Sequence, residues 1–258
     1  MTILKIKNPF NAPVYHEETV DSTMDVSRRL ASNGEPHGVV IAADFQEKGR
    51  GRLQGRIWQM ERKMSLPFTV LLRFGRIEDI PGALTLRAGL ALSLAVEDFA
   101  PSLAGGLKIK WPNDILYGSK KTAGILCEAD GGVVHIGIGI NFAQRQFPES
   151  IAGKATSISL AAGIDIDPEM RFCLLEEILF ALYNELENKE ANNWKCRLEQ
   201  RLYKRNESVI FIEGPADSGK KIKGRITGIG ESGELLIIPD GETRERSFFT
   251  GELSFGYD

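Results

Sequence analysis

The chain has 258 residues, of which 42% are hydrophobic and 26% charged, with a net charge of -3. That balance is ordinary for a soluble globular protein with a sizeable core and argues against a dedicated nucleic-acid binder. Cys127, Cys173 and Cys196 are too scattered for a disulfide framework or a zinc site, and neither an apolar leader nor an eighteen-residue apolar run is present, so the expectation is a cytoplasmic chain without a membrane span.

In chain order, Asp21-Ser22-Thr23 precedes MDVSRRLASNG, whose Met24, Val26, Leu30 and Gly34 predict a short helix with a polar N-cap and a closing glycine. Residues 38–45 read as a buried strand, residues 65–74 as a second, and residues 84–99 as a helix packed across the sheet. Residues 107–111, 114–117, 121–130 and 133–142 form a run of short strands with turns between them, a β meander. Asp167-Pro168 opens a helix through Asn188, and a second lies around Trp194 to Tyr203. Strands and helices mix rather than alternate, so the fold class is α+β on a mixed sheet, not a doubly wound one. After Arg205, four short alternating stretches between glycine turns suit a small barrel, placing a boundary there: residues 1–205 and 206–258.

Residues 46–58, QEKGRGRLQGRIW, hold four cations and three glycines, the composition of an anion-binding loop whose backbone can approach a ligand closely. A second cationic segment follows in KIKWPNDILYGSKKTAGILCE. One polyanionic substrate held between the two is the simplest common reason for both. GPADSGKK (214–221) has Walker A spacing but puts Lys221 where Ser or Thr should hold magnesium, and a strand follows it, so it reads as a hairpin loop.

Asp21-Ser22-Thr23, Gln46 with GRGR at 49–52, Gly55-Arg56, Trp58, Lys110-Trp111-Pro112-Asn113-Asp114, Lys121 with Ala123-Gly124-Ile125-Leu126, and Gly137 with Gly139-Ile140-Asn141 together resemble the biotin protein ligase family. The resemblance covers about 120 residues in order and spacing, and the strands ending in Gly251-Glu252 resemble that family's small SH3-like domain. It implies a class II synthetase-like catalytic domain, residues 1–205, and an SH3-like domain, residues 206–258. It also implies two-step chemistry: biotin and MgATP give biotinoyl-5'-AMP, and the acyl group passes to a lysine of a biotin carboxyl carrier domain.

What the resemblance implies for single residues follows the physics of that reaction. A carboxylate attacking an α-phosphate meets another anion, so fixed cations matter more than an acid or base. Arg52 and Lys121 match the family's positions near the biotin carboxylate and α-phosphate, with Arg50 on the biotin side; solvated surface charges are the plain alternative for Arg52 and Lys121. Ser22, Thr23 and Gln46 fall where the family binds the ureido ring, although Ser22 can equally cap a helix. Gly124 matches a position whose backbone meets the ligand. Trp58 matches an adenine-stacking position but would also suit a core; Asn113, Asp114 and Asn141 match positions that handle the nucleotide and Mg2+, and Asp114 would also suit a turn.

The basic loop, with repelling charges and little to bury, is expected to order over ligand and shield the adenylate from water. Two departures from the family pattern bear on loop closure and affinity, Met24 in place of Asn and Leu53-Gln54 as two residues where one is usual; Gly256 stands where some members carry a basic residue near the nucleotide, so no role is carried over there. No helix-turn-helix module precedes Asp21, so transcriptional regulation is not expected. Lipoate or octanoate attachment is the nearest enzymatic rival; phosphate contacts to nucleic acid through GRGR and KKIKGR (220–225) are a remote one. Relatives often dimerise through the main sheet, which makes a homodimer an expectation of the resemblance.

Overall fold

The computed structural model describes residues 1–53, 55, 57–187, 193–215 and 218–254. Its elements in order are β1 (Thr2–Ile3), β2 (Val14–Glu17), α1 (Thr23–Ser32), β3 (Val39–Ala43), β4 (Ser65–Arg73), α2 (Leu84–Phe99), β5 (Leu107–Lys110), β6 (Asp114–Tyr117), β7 (Lys120–Asp130) and β8 (Val133–Asn141). Short helices α3 (Glu149–Ala152) and α4 (Ile158–Ala162) precede α5 (Arg171–Leu186) and α6 (Trp194–Arg201). The last strands are β9 (Ser208–Glu213), β10 (Lys220–Ile229), β11 (Leu235–Pro239), β12 (Arg246–Phe248) and β13 (Glu252–Leu253).

The first eight strands form one mixed sheet in the order β1-β2-β3-β4-β8-β7-β6-β5. Only β2 and β3 pair in parallel, and α1 supplies the crossover that a parallel pair requires. β5 to β8 are the antiparallel meander read from the sequence. The period of two along β3 and β4 separates two cores: Val39, Ile41, Ala43 and Leu71 face Val26 and Leu30 of α1, while Val40, Ala42, Val70 and Leu72 join the larger cluster under α2 and α5.

α1 starts where expected, but the Ser22 hydroxyl accepts from the Met24 N–H at 3.3 Å, and the Asp25 carboxylate turns to Arg28 and Arg50. Gly34, at φ +81, ends the helix in the left-handed region, where glycine is strain-free. α2 is the one helical stretch among the described residues apolar enough to suit a membrane, as part of 77–99, and half of that window is buried. Its Gly89 lets it lie on the sheet: a Cβ there would come within 3.2 Å of Ile115 Cδ1. The helix expected from Asp167 to Asn188 opens with a single 3-10 turn, with Asp167 accepting from Glu169, before α5 begins at Arg171; Asn188 lies outside the described residues.

Two regions were not read from the sequence. β1 and β2 form the sheet edge, and 143–166 carries α3 and α4; both are short elements with weak periodicity. The C-terminal strands form a separate five-stranded antiparallel sheet, β12-β11-β10-β9-β13. The 214–221 motif connects β9 to β10, with Glu213 opposite Lys220, as a hairpin and not a loop opening a helix; residues 216 and 217 lie outside the described residues. The two sheets share one continuous apolar cluster, joined where Trp111 packs 5.9 Å from Phe211 and donates from Nε1 to the Gly233 carbonyl at 3.0 Å.

Candidate functional site

The face of the sheet that carries α1 is cleared of side chains just beyond that helix's N-terminus. Gly137 and Gly139 of β8 and Gly124 of β7 point there, Gly124 opposite Gly139. The resulting cavity, about 710 Å³, is of a size that encloses a small molecule. Ser22, Thr23, Gln46, Arg50, Arg52, Trp58, Asn113, Asp114, Lys121, Gly124 and Asn141 all line it, so every candidate residue from the sequence reaches one space.

One end is neutral and polar. Thr23 donates to Gln46 Oε1 from both its backbone N–H (2.8 Å) and its hydroxyl (3.0 Å), and Thr69 on β4 donates to the Thr23 hydroxyl oxygen at 2.9 Å. Ser22 and Thr23 are buried, held by the helix they start. Capping and cavity lining therefore coincide at Ser22.

The other end is cationic. Lys121 Nζ sits 2.6 Å from Asp114 and 5.3 Å from the centre of the Trp58 ring. Its backbone is clamped by the segment that follows α3: Lys121 N–H donates to the Lys154 carbonyl, and Thr156 N–H donates to the Lys121 carbonyl. Asn141 Nδ2 donates to the Lys121 and Thr156 carbonyls, and Asn113 Nδ2 to that of Ile125, so both amides brace backbone around the lysine.

The loop cations are not left to repel one another. Lys48 pairs with Asp21 at 2.9 Å, Arg50 with Asp25, and Arg52 donates to the Gly251 carbonyl at 2.9 Å with Glu252 3.9 Å away. Those carboxylates come from the residues just before α1, from α1 itself and from β13, which spacing within the loop does not announce. Trp58 is tied to Gly49 by its N–H at 2.9 Å; Gln54 and Arg56 lie outside the described residues.

Trp58 is neither a core residue nor wholly exposed: it lies on the glycine bed. A Cβ on Gly139 would come within 2.8 Å of its ring, and one on Gly124 within 3.0 Å of Lys121 Nζ and 3.2 Å of Trp58. Gly124 thus makes room for the lysine and the indole. The Met24 departure is accommodated in the same way, since a Cβ on Gly137 would come within 2.7 Å of Met24 Sδ. The Trp58 Nε1 is buried without a hydrogen-bond partner.

No cluster of three metal-ligating His, Cys, Asp or Glu side chains occurs among the described residues. The donor set of Asp114 with the Asn113 and Asn141 amides suits a cation that arrives with phosphate and keeps most of its waters, which is how Mg2+ is commonly held. Wall residues that sequence reasoning missed are Phe147, Ser150, Ile151 and Lys154, around α3, and Ile212, Leu253 and Ser254 of the second sheet. Pro148 ahead of α3 was a usable helix-start signal. Gly256 lies outside the described residues.

Residues 17–142, the stretch holding most of these side chains, match the biotin/lipoate A/B protein ligase family. The bifunctional ligase/repressor BirA of Bacillus subtilis (strain 168) is 36% identical over 60% of this chain and 48% of its own, so the chain spans about half the length of the first curated relatives it matches. The biotin--[acetyl-CoA-carboxylase] ligase of Paracoccus denitrificans is 31% identical over 84% of this chain and 90% of its own. Among solved structures, the biotin protein ligase from Aquifex aeolicus in complex with biotin and ATP superposes with a TM-score of 0.76 at 30% identity, covering 93% of this chain and 97% of the other. With a relative of that identity matched over nearly its whole length, the chain belongs to the biotin protein ligase family.

Proposed function

We propose that the chain is an ATP-dependent biotin protein ligase, which joins biotin to AMP and then passes the biotinoyl group to a lysine of a biotin carboxyl carrier domain. The observation that carries this reading is the polarity of the cavity: a neutral hydrogen-bonding end at Thr23 and Gln46, and a charged end at Lys121, with Arg52 also on the cavity wall. A ureido head and a carboxylate at opposite ends of one small molecule match that layout. A lipoyl or octanoyl chain has the carboxylate without the head and leaves the polar end unpaired.

In this reading Lys121 and Arg52 neutralise the meeting of carboxylate and α-phosphate, Arg50 adds positive field, and Trp58 offers its ring to adenine. Asp114, with Asn113 and Asn141, would hold the Mg2+ that accompanies ATP and offsets phosphate charge. The Aquifex aeolicus ligase, whose structure holds biotin and ATP, supports the substrate pair. We assign residues 1–205 to the catalytic part and residues 206–258, an SH3-like domain, to a closing wall that Arg52 reaches through Gly251. A cytoplasmic homodimer is the assembly this reading carries.

The test is ATP–pyrophosphate exchange with biotin, lipoate or octanoate supplied separately. Exchange dependent on biotin is expected. Exchange with lipoate or octanoate alone would replace the substrate, and none with any acid would overturn the reaction class.

A further inference from the structure

Thr69 belongs to no motif in the sequence, does not line the cavity, and is completely buried in β4, between Ile41 of β3 and Gly137 of β8. Its hydroxyl nevertheless ends the hydrogen-bond chain that leads into the polar end of the cavity. A backbone N–H can only donate, so the group 2.8 Å from Thr23 N must be Gln46 Oε1, and the Gln46 Nε2 is left with its two protons for a ligand. The Thr23 hydroxyl has one proton, and it goes to the same Oε1 at 3.0 Å. Thr69, donating to Thr23 Oγ1 at 2.9 Å, fills one lone pair there and keeps that proton from turning back into the sheet.

We propose that Thr69 is a specificity-determining positioning residue: with Gln46 already oriented by the Thr23 N–H, it holds the Thr23 hydroxyl with its proton on Gln46 Oε1, so that the cavity meets a ligand with a donor from Gln46 and an acceptor lone pair from Thr23. That pattern is the complement of a cyclic urea, whose carbonyl accepts and whose N–H donates. It offers nothing to an alkyl chain or a dithiolane. The proposal rests on the reading of the cavity as a biotin site and adds to it the group that sets its polarity.

Thr69→Val is nearly isosteric and removes only the hydroxyl. The expected result is a three- to tenfold rise in KM for biotin, about one neutral hydrogen bond's worth, with KM for ATP and kcat at saturating biotin unchanged. Thr69→Ser restores the wild-type KM, and inhibition by octanoate is the same in all three proteins, a selectivity that general loosening of the sheet would not produce. Should Thr69→Val fail to fold, Thr69→Ala takes its place. A biotin KM unchanged by loss of the hydroxyl, or equal losses in the Val and Ser variants, overturns the role of Thr69 alone. A wild-type protein inert toward biotin overturns the substrate reading, and this proposal with it.

Discussion

Replacing Lys121 with Met is expected to lower the rate of biotinoyl-adenylate formation by about 10²- to 10³-fold, the usual loss when one group aimed at developing charge is removed. The side chain is held in place by Asp114 at 2.6 Å, by the face of Trp58, and by a backbone bonded on both sides to residues 154 and 156. Methionine keeps the stem and removes the charge, so the phosphates lose a fixed cation and Asp114 loses the ion-pair partner that holds it at 2.6 Å. KM for ATP should therefore rise as kcat falls, measured by pyrophosphate exchange on protein shown to be folded by circular dichroism. The same variant, given preformed adenylate, should transfer to the acceptor lysine with its pH profile moved upward. A cation beside the incoming ammonium favours its neutral form, and the variant has lost one. Kinetics equal to wild type would return Lys121 to the status of a surface charge.

Arg171→Met is expected to destabilise the fold by about 3–5 kcal/mol, the cost of leaving a buried charge without its partner. For a chain of this size that corresponds to a fall in Tm on the order of 10 °C. The Arg171 side chain is 2% exposed and that of Asp44 4%, with the two 2.8 Å apart. His16 lies 2.8 Å from the same carboxylate, and Arg171 also reaches Glu169 and the Pro168 carbonyl. Burial pushes the Asp44 carboxyl up, but the hydrogen bonds and charges of His16 and Arg171 outweigh it and hold it below the usual carboxylate range. A folded pKa below the unfolded value of about 4 means that this stability is fully present above that pH and disappears as pH falls through the folded value. Thermal melts from pH 7 to 3 should therefore fall less steeply in the variant. Asp44 directly follows β3, two residues before Gln46, so loosening here should reach the cavity as well. A variant with wild-type Tm and pH slope would remove the network from the account of stability.

Much of the candidate cavity's lining is legible because its residues are grouped locally in sequence. The basic loop, Lys110 to Asp114, Lys121 to Leu126 and Gly137 to Asn141 each carry residue types that a core would not select, and the meander brings the last three together by short turns. What was illegible depends on pairing across the sheet. Thr69 is a β-branched residue in a strand, and only its register opposite Gly137 places it beside Thr23. Asp21, Asp25 and Glu252 were visible as charges, yet nothing in their spacing aims them at the loop cations. The sheet edge at β1 and β2 is too short to print a period, and no local pattern pairs Arg171 with Asp44, 127 residues away.

If the cavity brings a carboxylate oxygen onto the α-phosphate of ATP, that oxygen must end in the nucleotide. Biotin labelled with 18O in both carboxylate positions, incubated with ATP and an acceptor carrier domain, tests this directly by mass spectrometry of the nucleotide released. The expected product is AMP carrying one 18O, because the bridging oxygen of the adenylate departs with phosphorus when the acceptor amine attacks the acyl carbon. Label in inorganic phosphate with ADP as the nucleotide product, or AMP without label, would contradict it.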